Sequence, residues 1–213
     1  MDLRLTDKVA IVTGAGKGVG AAIALALAAA GAKVTVNDIN PDRAERTAQM
    51  IIREGGTAVA IPADISNKFQ CVHLVETTRA EWGRLDILVN NAAVKPKSTI
   101  LKLDEWDWQR TLDVNLKGTF FMSQLVGRVM ADENGERGSL IVNITSTAGT
   151  QTAFEGHAAY AASQAAIAGF TRECAREYAG YGIAVHAVAA EEPMVETAVA
   201  QQILALCQQT WPG

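Results

Sequence analysis

The sequence predicts an α/β fold in which a parallel sheet is covered by helices on both faces. Short apolar runs alternate with longer helical stretches along the chain, as expected for repeated strand–helix–strand units. The short runs are apolar at successive positions, which is typical of strands buried on both faces. A glycine-rich segment, residues 13–20, also joins the first strand to the first helix. Together these observations favour a doubly wound, three-layer α/β/α architecture.

Turn residues separate the predicted elements within a single domain spanning residues 1–213. Gly31 ends the first helix, Pro41 suits the first turn of the second, and Gly55 and Gly56 follow that helix. The predicted strands are residues 9–12, 33–38, 57–62, 85–90, 139–144 and 183–188. The predicted helices are residues 21–30, 41–54, 68–82, 104–130, 157–179 and 195–209.

Composition excludes several classes of function. A net charge of −4 gives no basic face for nucleic acid. The longest uncharged stretch, near residues 21–32, is too short to cross a bilayer, and the first residues do not resemble a secretory signal. Cys71, Cys174 and Cys207 are odd in number and widely spaced, so we expect reduced, structural thiols and a cytoplasmic protein.

The glycine-rich segment predicts a binding site for a dinucleotide. Gly14, Gly18 and Gly20 let backbone N–H groups approach a pyrophosphate closely, because no Cβ intervenes. The helix that follows directs its positive end at the same anion, and Lys17 and Val19 lie in the same turn. Such a pattern is weak alone, but its place between a strand and a helix strengthens it.

The ends of the other strands give a second indication of the same site. Ligands of doubly wound sheets bind outside the carboxyl ends of the strands. Asp38, Asp64, Asn91 and Ser146 each lie at or just after such an end.

These residues resemble the short-chain dehydrogenase/reductase superfamily over nearly the whole chain. The matching motifs are Thr13-Gly14 with Gly18-Val19-Gly20, Asp64-Ile65, Asn90-Asn91-Ala92-Ala93, Asn115, Ser146 and Tyr160. The resemblance implies a Rossmann-like sheet of strand order 3-2-1-4-5-6-7. It also implies hydride transfer between a nicotinamide cofactor and a small alcohol or carbonyl substrate.

Asp38 favours NAD over NADP as that cofactor. A carboxylate here can accept hydrogen bonds from both ribose hydroxyls of the adenosine, and its charge repels a 2′-phosphate. Lys17 keeps NADP open as the less favoured alternative, because a basic residue in this turn can contact that phosphate. Asp38 could also be an ordinary turn residue at a strand end. Its neighbour Ile39 is expected to line the same cofactor site.

The resemblance assigns the remaining cofactor contacts. Asp64 and Ile65 are expected to contact the adenine of the cofactor. Asn91 and Ala92 are expected to contact the ribose side of the cofactor. Asn91 could equally be a structural amide at the end of its strand.

The resemblance also implies a catalytic set at the other end of the cofactor. Tyr160 corresponds to the family's acid/base, which also contacts the cofactor, and Ser146 to the serine that binds the substrate oxygen. Asn115 corresponds to an asparagine that holds a water leading from Tyr160 to solvent. The family's lysine, four residues after the tyrosine, is missing here. Gln164 stands in its place, one helical turn from Tyr160.

The missing lysine is expected to weaken catalysis. Its ammonium normally bonds the nicotinamide ribose and lowers the pKa of the tyrosine; a glutamine amide can still form the hydrogen bond but contributes no charge. A tyrosine near its reference pKa of about 10 is ionised in roughly one molecule per thousand at pH 7. We therefore expect activity reduced by orders of magnitude or lost, unless another group substitutes. His157 is a candidate, although a helix-start or surface histidine is the simpler interpretation.

Two further departures concern the end of the chain. The family's Pro-Gly pair after the sixth strand is replaced by residues 189–194, in which Glu191 and Glu192 are expected to be solvated. Val195-Glu196-Thr197 resembles the start of the family's substrate-covering segment. The seventh strand is missing, which predicts the order 3-2-1-4-5-6 and an exposed edge on the sixth strand. We expect the last helix or a partner chain to cover that edge.

A two-fold homodimer through the two long helices is expected. Small residues on the later helix would permit close approach of a second copy, although simple packing on the sheet explains them equally well. They are Ala158, Ala159, Ala161, Ala162, Ala165, Ala166 and Gly169.

Two hypotheses about function follow. The first is an NAD-dependent oxidoreductase with an atypical Tyr160–Gln164 pair, favoured by the joint presence of Asn115, Ser146 and Tyr160. The second is an inactive dinucleotide-binding partner or regulatory subunit of an active relative, favoured by Gln164, the altered loop and the short tail.

Overall fold

A six-stranded parallel sheet forms the centre of the molecule. The computed structural model describes residues 5–148, 151, 153–190 and 196–212. Their strands pair in the order β3-β2-β1-β4-β5-β6, which confirms the predicted order and the Rossmann-like class. The strands are β1 Val9–Val12, β2 Lys33–Val36, β3 Thr57–Ala60, β4 Ile87–Asn90, β5 Ser139–Thr145 and β6 Ile183–Ala189.

Helices follow the strands, and α2, α3 and α4 begin at polar residues that cap them. Asn40 accepts a hydrogen bond from the Arg43 N–H at the start of α2, and Asp104 accepts one from the Asp107 N–H at the start of α4. Such caps satisfy N–H groups that lack a partner inside the helix. The α-helices are α1 Gly18–Ala29, α2 Pro41–Arg53, α3 Lys68–Trp82, α4 Glu105–Leu112, α5 Gly118–Glu133, α6 Ala158–Tyr178 and α7 Glu196–Thr210.

The predicted helix over residues 104–130 is interrupted in the structure. A π-helical turn, Asp113–Lys117, separates α4 from α5. Asn115 lies inside this turn, and the Thr119 hydroxyl donates to its carbonyl at 2.7 Å. The apolar periodicity of the sequence does not distinguish a π turn from an uninterrupted helix. Such turns are frequent at functional sites.

Apolar side chains fill a separate core on each face of the sheet. Alternate residues of β1 point to opposite faces: Ala10 and Val12 pack against α1, whereas Val9 and Ile11 pack towards α3 and α5. This confirms the predicted cover of helices on both sides of the sheet.

The last helix packs on one face of the sheet rather than along the outer edge of β6, so the first of the two expected covers is wrong, and cover by a partner chain stays a prediction. Helix α7 packs beside α1 on that face and contacts β5 and β6. Its buried residues Val199, Ile203 and Cys207 belong to the core of that face. An apolar stripe of this width is buried more completely on a sheet face than along a strand edge. Ala187 of β6 stays exposed.

The three cysteines are free thiols, as expected. All are buried, and burial raises the pKa of Cys71 to about 12, that of Cys174 to about 11 and that of Cys207 to about 12. Thiols held in the neutral form are poor nucleophiles, which agrees with a structural role.

None of the helices in the described ranges combines the length and hydropathy needed to cross a membrane.

A buried carboxylate ties the amino ends of two central strands together. Asp86 precedes β4 and is fully buried. Its carboxylate accepts a hydrogen bond from the Val9 N–H at 2.9 Å and another from the Arg84 guanidinium at 2.8 Å, and it pairs with Lys8 at 3.8 Å. The hydrogen bond to Asp86 raises the pKa of Arg84. This network links β1 to β4, which carry the loops of the candidate site.

Replacing Asp86 by alanine should lower the free energy of unfolding by about 2–4 kcal/mol, because a buried N–H and two cations lose their acceptor. Urea denaturation would measure the change. Glu173→Gln is the matched control: it breaks an exposed pair with Arg176 and should stay within about 0.5 kcal/mol of the parent. Equal effects of the two substitutions would contradict a structural role for the Asp86 network.

Candidate functional site

A cavity of about 1020 Å³ opens at the carboxyl edge of the sheet. The loops after β1, β2, β3 and β4 line it, together with one face of α4 and the π turn. Eleven of the twelve predicted cofactor residues line this cavity: Gly14, Lys17, Gly18, Val19, Gly20, Asp38, Ile39, Asp64, Ile65, Asn91 and Ala92. The twelfth, Tyr160, lies outside the lining.

The glycines of the first loop leave no room for side chains. Gly14 has a φ of +62°, and a Cβ there would lie 2.7 Å from the Cα of Ala92. A Cβ on Gly20 would lie 2.4 Å from the Asn91 side chain. The loop and the start of α1 therefore present backbone N–H groups to the cavity, as a pyrophosphate requires.

Thr13 and Asn91 hold this loop against the end of β4. The Thr13 hydroxyl accepts hydrogen bonds from the N–H groups of Asn91 and Ala92 at 3.0 and 3.2 Å. The Asn91 amide donates to the carbonyls of Thr13 and Gly14 at 3.0 and 3.1 Å. These contacts correspond to the structural alternative for Asn91, although the residue also lines the cavity.

Asp38 lies at the end of β2 with 7% of its surface exposed. Its carboxylate accepts hydrogen bonds from the N–H groups of Gly16 at 3.1 Å and Asn40 at 2.9 Å. A Cβ on Gly16 would lie 2.6 Å from that carboxylate, so the glycine is needed for the contact. Lys17 and Arg43 line the same cavity and supply positive charge beside it.

The adjoining part of the cavity suits a flat apolar group. Ile39 lies at its mouth with 66% of its surface exposed, and Ile65 is buried beneath. Asp64 accepts hydrogen bonds from the Ser66 N–H and hydroxyl at 2.9 and 2.7 Å, which fixes the turn after β3.

The predicted catalytic residues come from three different elements. Ser146 directly follows β5, and its hydroxyl accepts a hydrogen bond from the Ala148 N–H at 3.1 Å. Tyr160 lies in the first turn of α6, and Gln164 lies one turn further along. All three therefore lie towards the carboxyl edge of the sheet, and none of them lines the cavity.

Asn115 connects the π turn to two neighbouring segments. Its amide accepts from the Val94 N–H at 2.8 Å and donates to the Val94 carbonyl at 3.0 Å. It also donates to the Ser163 hydroxyl on α6 at 3.0 Å. The side chain thus fixes the loop after β4 relative to the helix that carries Tyr160.

Gln164 is buried, with 2% of its surface exposed. Its Oε1 has no hydrogen-bond partner among the residues that the structure describes. A buried acceptor without a partner is costly. Gln164 is not among the residues that line the cavity, so the hydrogen bond expected of it in place of the missing lysine stays a prediction.

His157 connects the start of α6 to the loop after β4. Its Nδ1 donates to the Pro96 carbonyl at 3.0 Å, and the Ser98 N–H donates to the Gly156 carbonyl at 2.8 Å. This is the helix-start interpretation of the histidine rather than that of a substitute for the lysine.

Sequence reasoning missed a lysine beside Tyr160. The Lys95 ammonium lies 5.3 Å from the centroid of the Tyr160 ring and 4.9 Å from that of Phe154. It also missed Arg43, Trp106 and Arg110 in the lining of the cavity. These residues belong to no motif, and only the folding of α2, α4 and the loop after β4 brings them to the site.

The comparisons with known proteins match this arrangement. The family model described as short chain dehydrogenase matches residues 8–206. The chain belongs to the short-chain dehydrogenase/reductase family. Its function is therefore that of a nicotinamide-dependent oxidoreductase, as the sequence indicated, and the alternative of an inactive partner is not favoured.

Individual relatives of this short-chain dehydrogenase/reductase support the assignment to the family. It is 40% identical to a 3-oxoacyl-[acyl-carrier-protein] reductase of Synechocystis, over 87% of this chain and 74% of that protein. It is 37% identical to the D-threitol dehydrogenase of Mycolicibacterium smegmatis, over 88% and 70%. A short-chain type dehydrogenase/reductase from Mycobacterium marinum superposes with a TM-score of 0.92 at 28% identity, covering 99% of this chain and 92% of that one.

The family binds a nicotinamide cofactor and small-molecule substrates, and its members often form oligomers. In this protein, α7 begins near the glycine loop: the Glu196 Oε1 lies 3.6 Å from the position of a Cβ on Gly18. Glu191 and Glu192, which were expected to be solvated, and Val195, which was expected to begin the substrate-covering segment, lie outside the described residues.

Proposed function

We propose that this chain is an NAD-dependent oxidoreductase that interconverts an alcohol and a carbonyl, with Tyr160 as the acid/base. The observation that carries the choice of cofactor is the Asp38 carboxylate, held in the cavity by the Gly16 N–H. When bound, the nicotinamide supplies or accepts the hydride.

Asp38 supports NAD for two physical reasons. Its two oxygens have about four acceptor sites, and the bonds from Gly16 and Asn40 occupy two of them. The remaining sites suit the two ribose hydroxyls of an adenosine. A 2′-phosphate in the same place would put two negative charges together, which is unfavourable at this degree of burial. Lys17 and Arg43 would offset part of that repulsion, so NADP is the less favoured cofactor.

The remaining residues divide the chemistry among them. Ser146 donates its hydroxyl to the substrate oxygen, while Tyr160 gives a proton to that oxygen in reduction or takes it in oxidation. Asn115 holds the loop beside Tyr160 and is proposed to position a water for proton exchange with solvent. Gln164 accepts a hydrogen bond from a hydroxyl of the cofactor. Without the lysine charge at that position, we expect a low turnover rate.

Asp38→Ala should reduce the preference for NAD over NADP by roughly 10- to 100-fold, because hydrogen bonds to the ribose are lost and repulsion of the phosphate is relieved. Titration calorimetry with each cofactor measures the ratio. Asp42→Ala, at an exposed position in the first turn of α2, is the matched control and should leave the ratio unchanged. A preference for NADP in the parent chain would contradict the assignment to NAD.

Turnover should be measurable in the parent chain and fall by about 100-fold or more in Tyr160→Phe, because the proton donor is removed. Gln164→Lys should raise turnover by about tenfold or more, because a positive charge returns beside the phenol. Nicotinamide absorbance reports both, with simple secondary alcohols, D-threitol and a 3-oxoacyl thioester as probes. Activity confined to the Gln164→Lys variant would contradict the proposed function, and rates preserved in Tyr160→Phe would remove that residue from the mechanism.

We further propose a homodimer through α5 and α6. Ala162 is exposed on α6, and Phe120 of α5 contacts Phe170 of α6 on the outer surface with ring centroids 6.2 Å apart. Ala159, by contrast, is buried within the subunit. Small and aromatic residues on adjacent helices support a two-fold helical contact.

Ala162→Glu should convert the dimer to a monomer, because charges would face each other across the two-fold axis. Sedimentation velocity measures the change. Ala179→Glu, at an exposed position after α6, should leave the dimer intact. A parent chain that sediments as a monomer would refute the proposed contact.

A further inference from the structure

The Lys95 side chain reaches the aromatic side of the candidate active site. It follows the Asn90-Asn91-Ala92-Ala93 motif in the loop after β4. Its Nζ lies 5.3 Å from the Tyr160 ring centroid and 4.9 Å from that of Phe154. Both distances fall within the range of a cation–π interaction.

The backbone on both sides of Lys95 is fixed, before it to the π turn and after it to the start of α6. Val94 is held on its N–H and its carbonyl by Asn115, and the Pro96 carbonyl accepts a hydrogen bond from His157. The Ser98 N–H donates to the Gly156 carbonyl. The origin of the lysine side chain is therefore set by contacts to the segment that also positions Tyr160.

Position 164 supplies no charge to Tyr160, because glutamine is neutral. We propose that the Lys95 ammonium supplies, from the face of the Tyr160 ring, the positive charge that the chain lacks at position 164, and that it thereby stabilises the phenolate form. Ionisation spreads negative charge into the ring, so a cation over the ring face attracts the phenolate more strongly than the phenol.

Other charged groups on the elements around α6 are placed differently. The Lys117 ammonium pairs with Asp113 in the π turn, and Arg110 of α4 lies over the Trp106 ring. Other titratable groups of the loops beside α6 and of α4 are Lys97, Lys102, Asp104, Glu105, Asp107, Glu155 and His157, while β6 carries His186 and the later turns of α6 carry Arg172, Glu173, Arg176 and Glu177. The Lys97 side chain lies beside Gly156, because a Cβ on that glycine would be 3.2 Å from Lys97 Cγ.

This inference rests on the proposed role of Tyr160 as the acid/base. Lys95 is a positioning residue: it acts on the reaction through Tyr160, by placing a positive charge over the tyrosine ring. Because the lysine is exposed, solvent screens the interaction, and we expect it to lower the titration midpoint of Tyr160 by about 0.5–1 pH unit.

The titration of Tyr160 tests the inference directly and needs neither cofactor nor substrate. The chain contains three tyrosines, so 3-fluorotyrosine labelling gives three ¹⁹F resonances, and Tyr160→Phe identifies the relevant one. Burial raises the pKa of Tyr178. Circular dichroism at each pH verifies that the chain stays folded.

Lys95→Met should raise the Tyr160 midpoint by about 0.5–1 pH unit, because the cation over the ring is lost. Lys95→Arg should restore the parent value. Lys97→Met removes an exposed lysine two positions away and should shift the midpoint by less than about 0.2 unit. A shift in Lys95→Met no larger than that in Lys97→Met would overturn the inference.

The Gln164→Lys background separates this inference from the proposed function. In that background the Tyr160 midpoint should be lower than in the parent chain. The increase caused by Lys95→Met should be smaller, because the lysine at position 164 also stabilises the phenolate. If turnover is absent while the Lys95-dependent shift is present, the proposed activity fails but the electrostatic inference stands. If turnover is present and the shift is absent, the inference alone fails.

Discussion

The candidate site depends on the close backbone contact between the first loop and the end of β4. Gly14 packs against Ala92 at a distance that excludes any side chain, and the Thr13 hydroxyl and Asn91 amide lock the two segments together. This contact places the N-terminus of α1 at the carboxyl edge of the sheet. It also places the loop after β4, which carries Lys95, beside α6. Both ends of the site therefore depend on the pairing of β1 with β4, which the buried Asp86 network reinforces from the opposite edge.

The two ends of the site differ in how they retain the family's features. The end proposed to receive the adenosine has its glycines, its carboxylate and a cavity lined by the residues expected there. The end proposed to handle the proton has Ser146, Tyr160 and Asn115 but a buried, neutral Gln164. Asn115 contacts both the loop of Lys95 and the helix of Tyr160, so its side chain fixes these two segments relative to each other. The lysine therefore extends from a backbone whose position beside α6 is defined.

The sequence predicts most of the fold because its signals are local or depend on pattern. Apolar runs, turn glycines and helix caps set the elements, and alternation of strand and helix sets a parallel sheet. The position of Gln164 also follows from local helix geometry. In contrast, the π turn at Asn115 is accompanied by hydrogen bonds to Thr119 and Val94, which periodicity does not encode. Lys95 and Arg43 reach the site through tertiary packing alone, and the place of α7 is set by the apolar surface left beside α1.

Titration calorimetry with NAD tests most directly whether the cavity lined by the loops after β1, β2 and β4 binds a nicotinamide dinucleotide. We predict saturable, one-to-one binding by the parent chain with a Kd of roughly 10–500 µM. Binding should weaken strongly in Gly16→Ala, where a Cβ would displace the Asp38 carboxylate. An absence of binding heat at millimolar NAD and at millimolar NADP would contradict the account of the site. Unchanged affinity in Gly16→Ala would contradict the role assigned to Asp38.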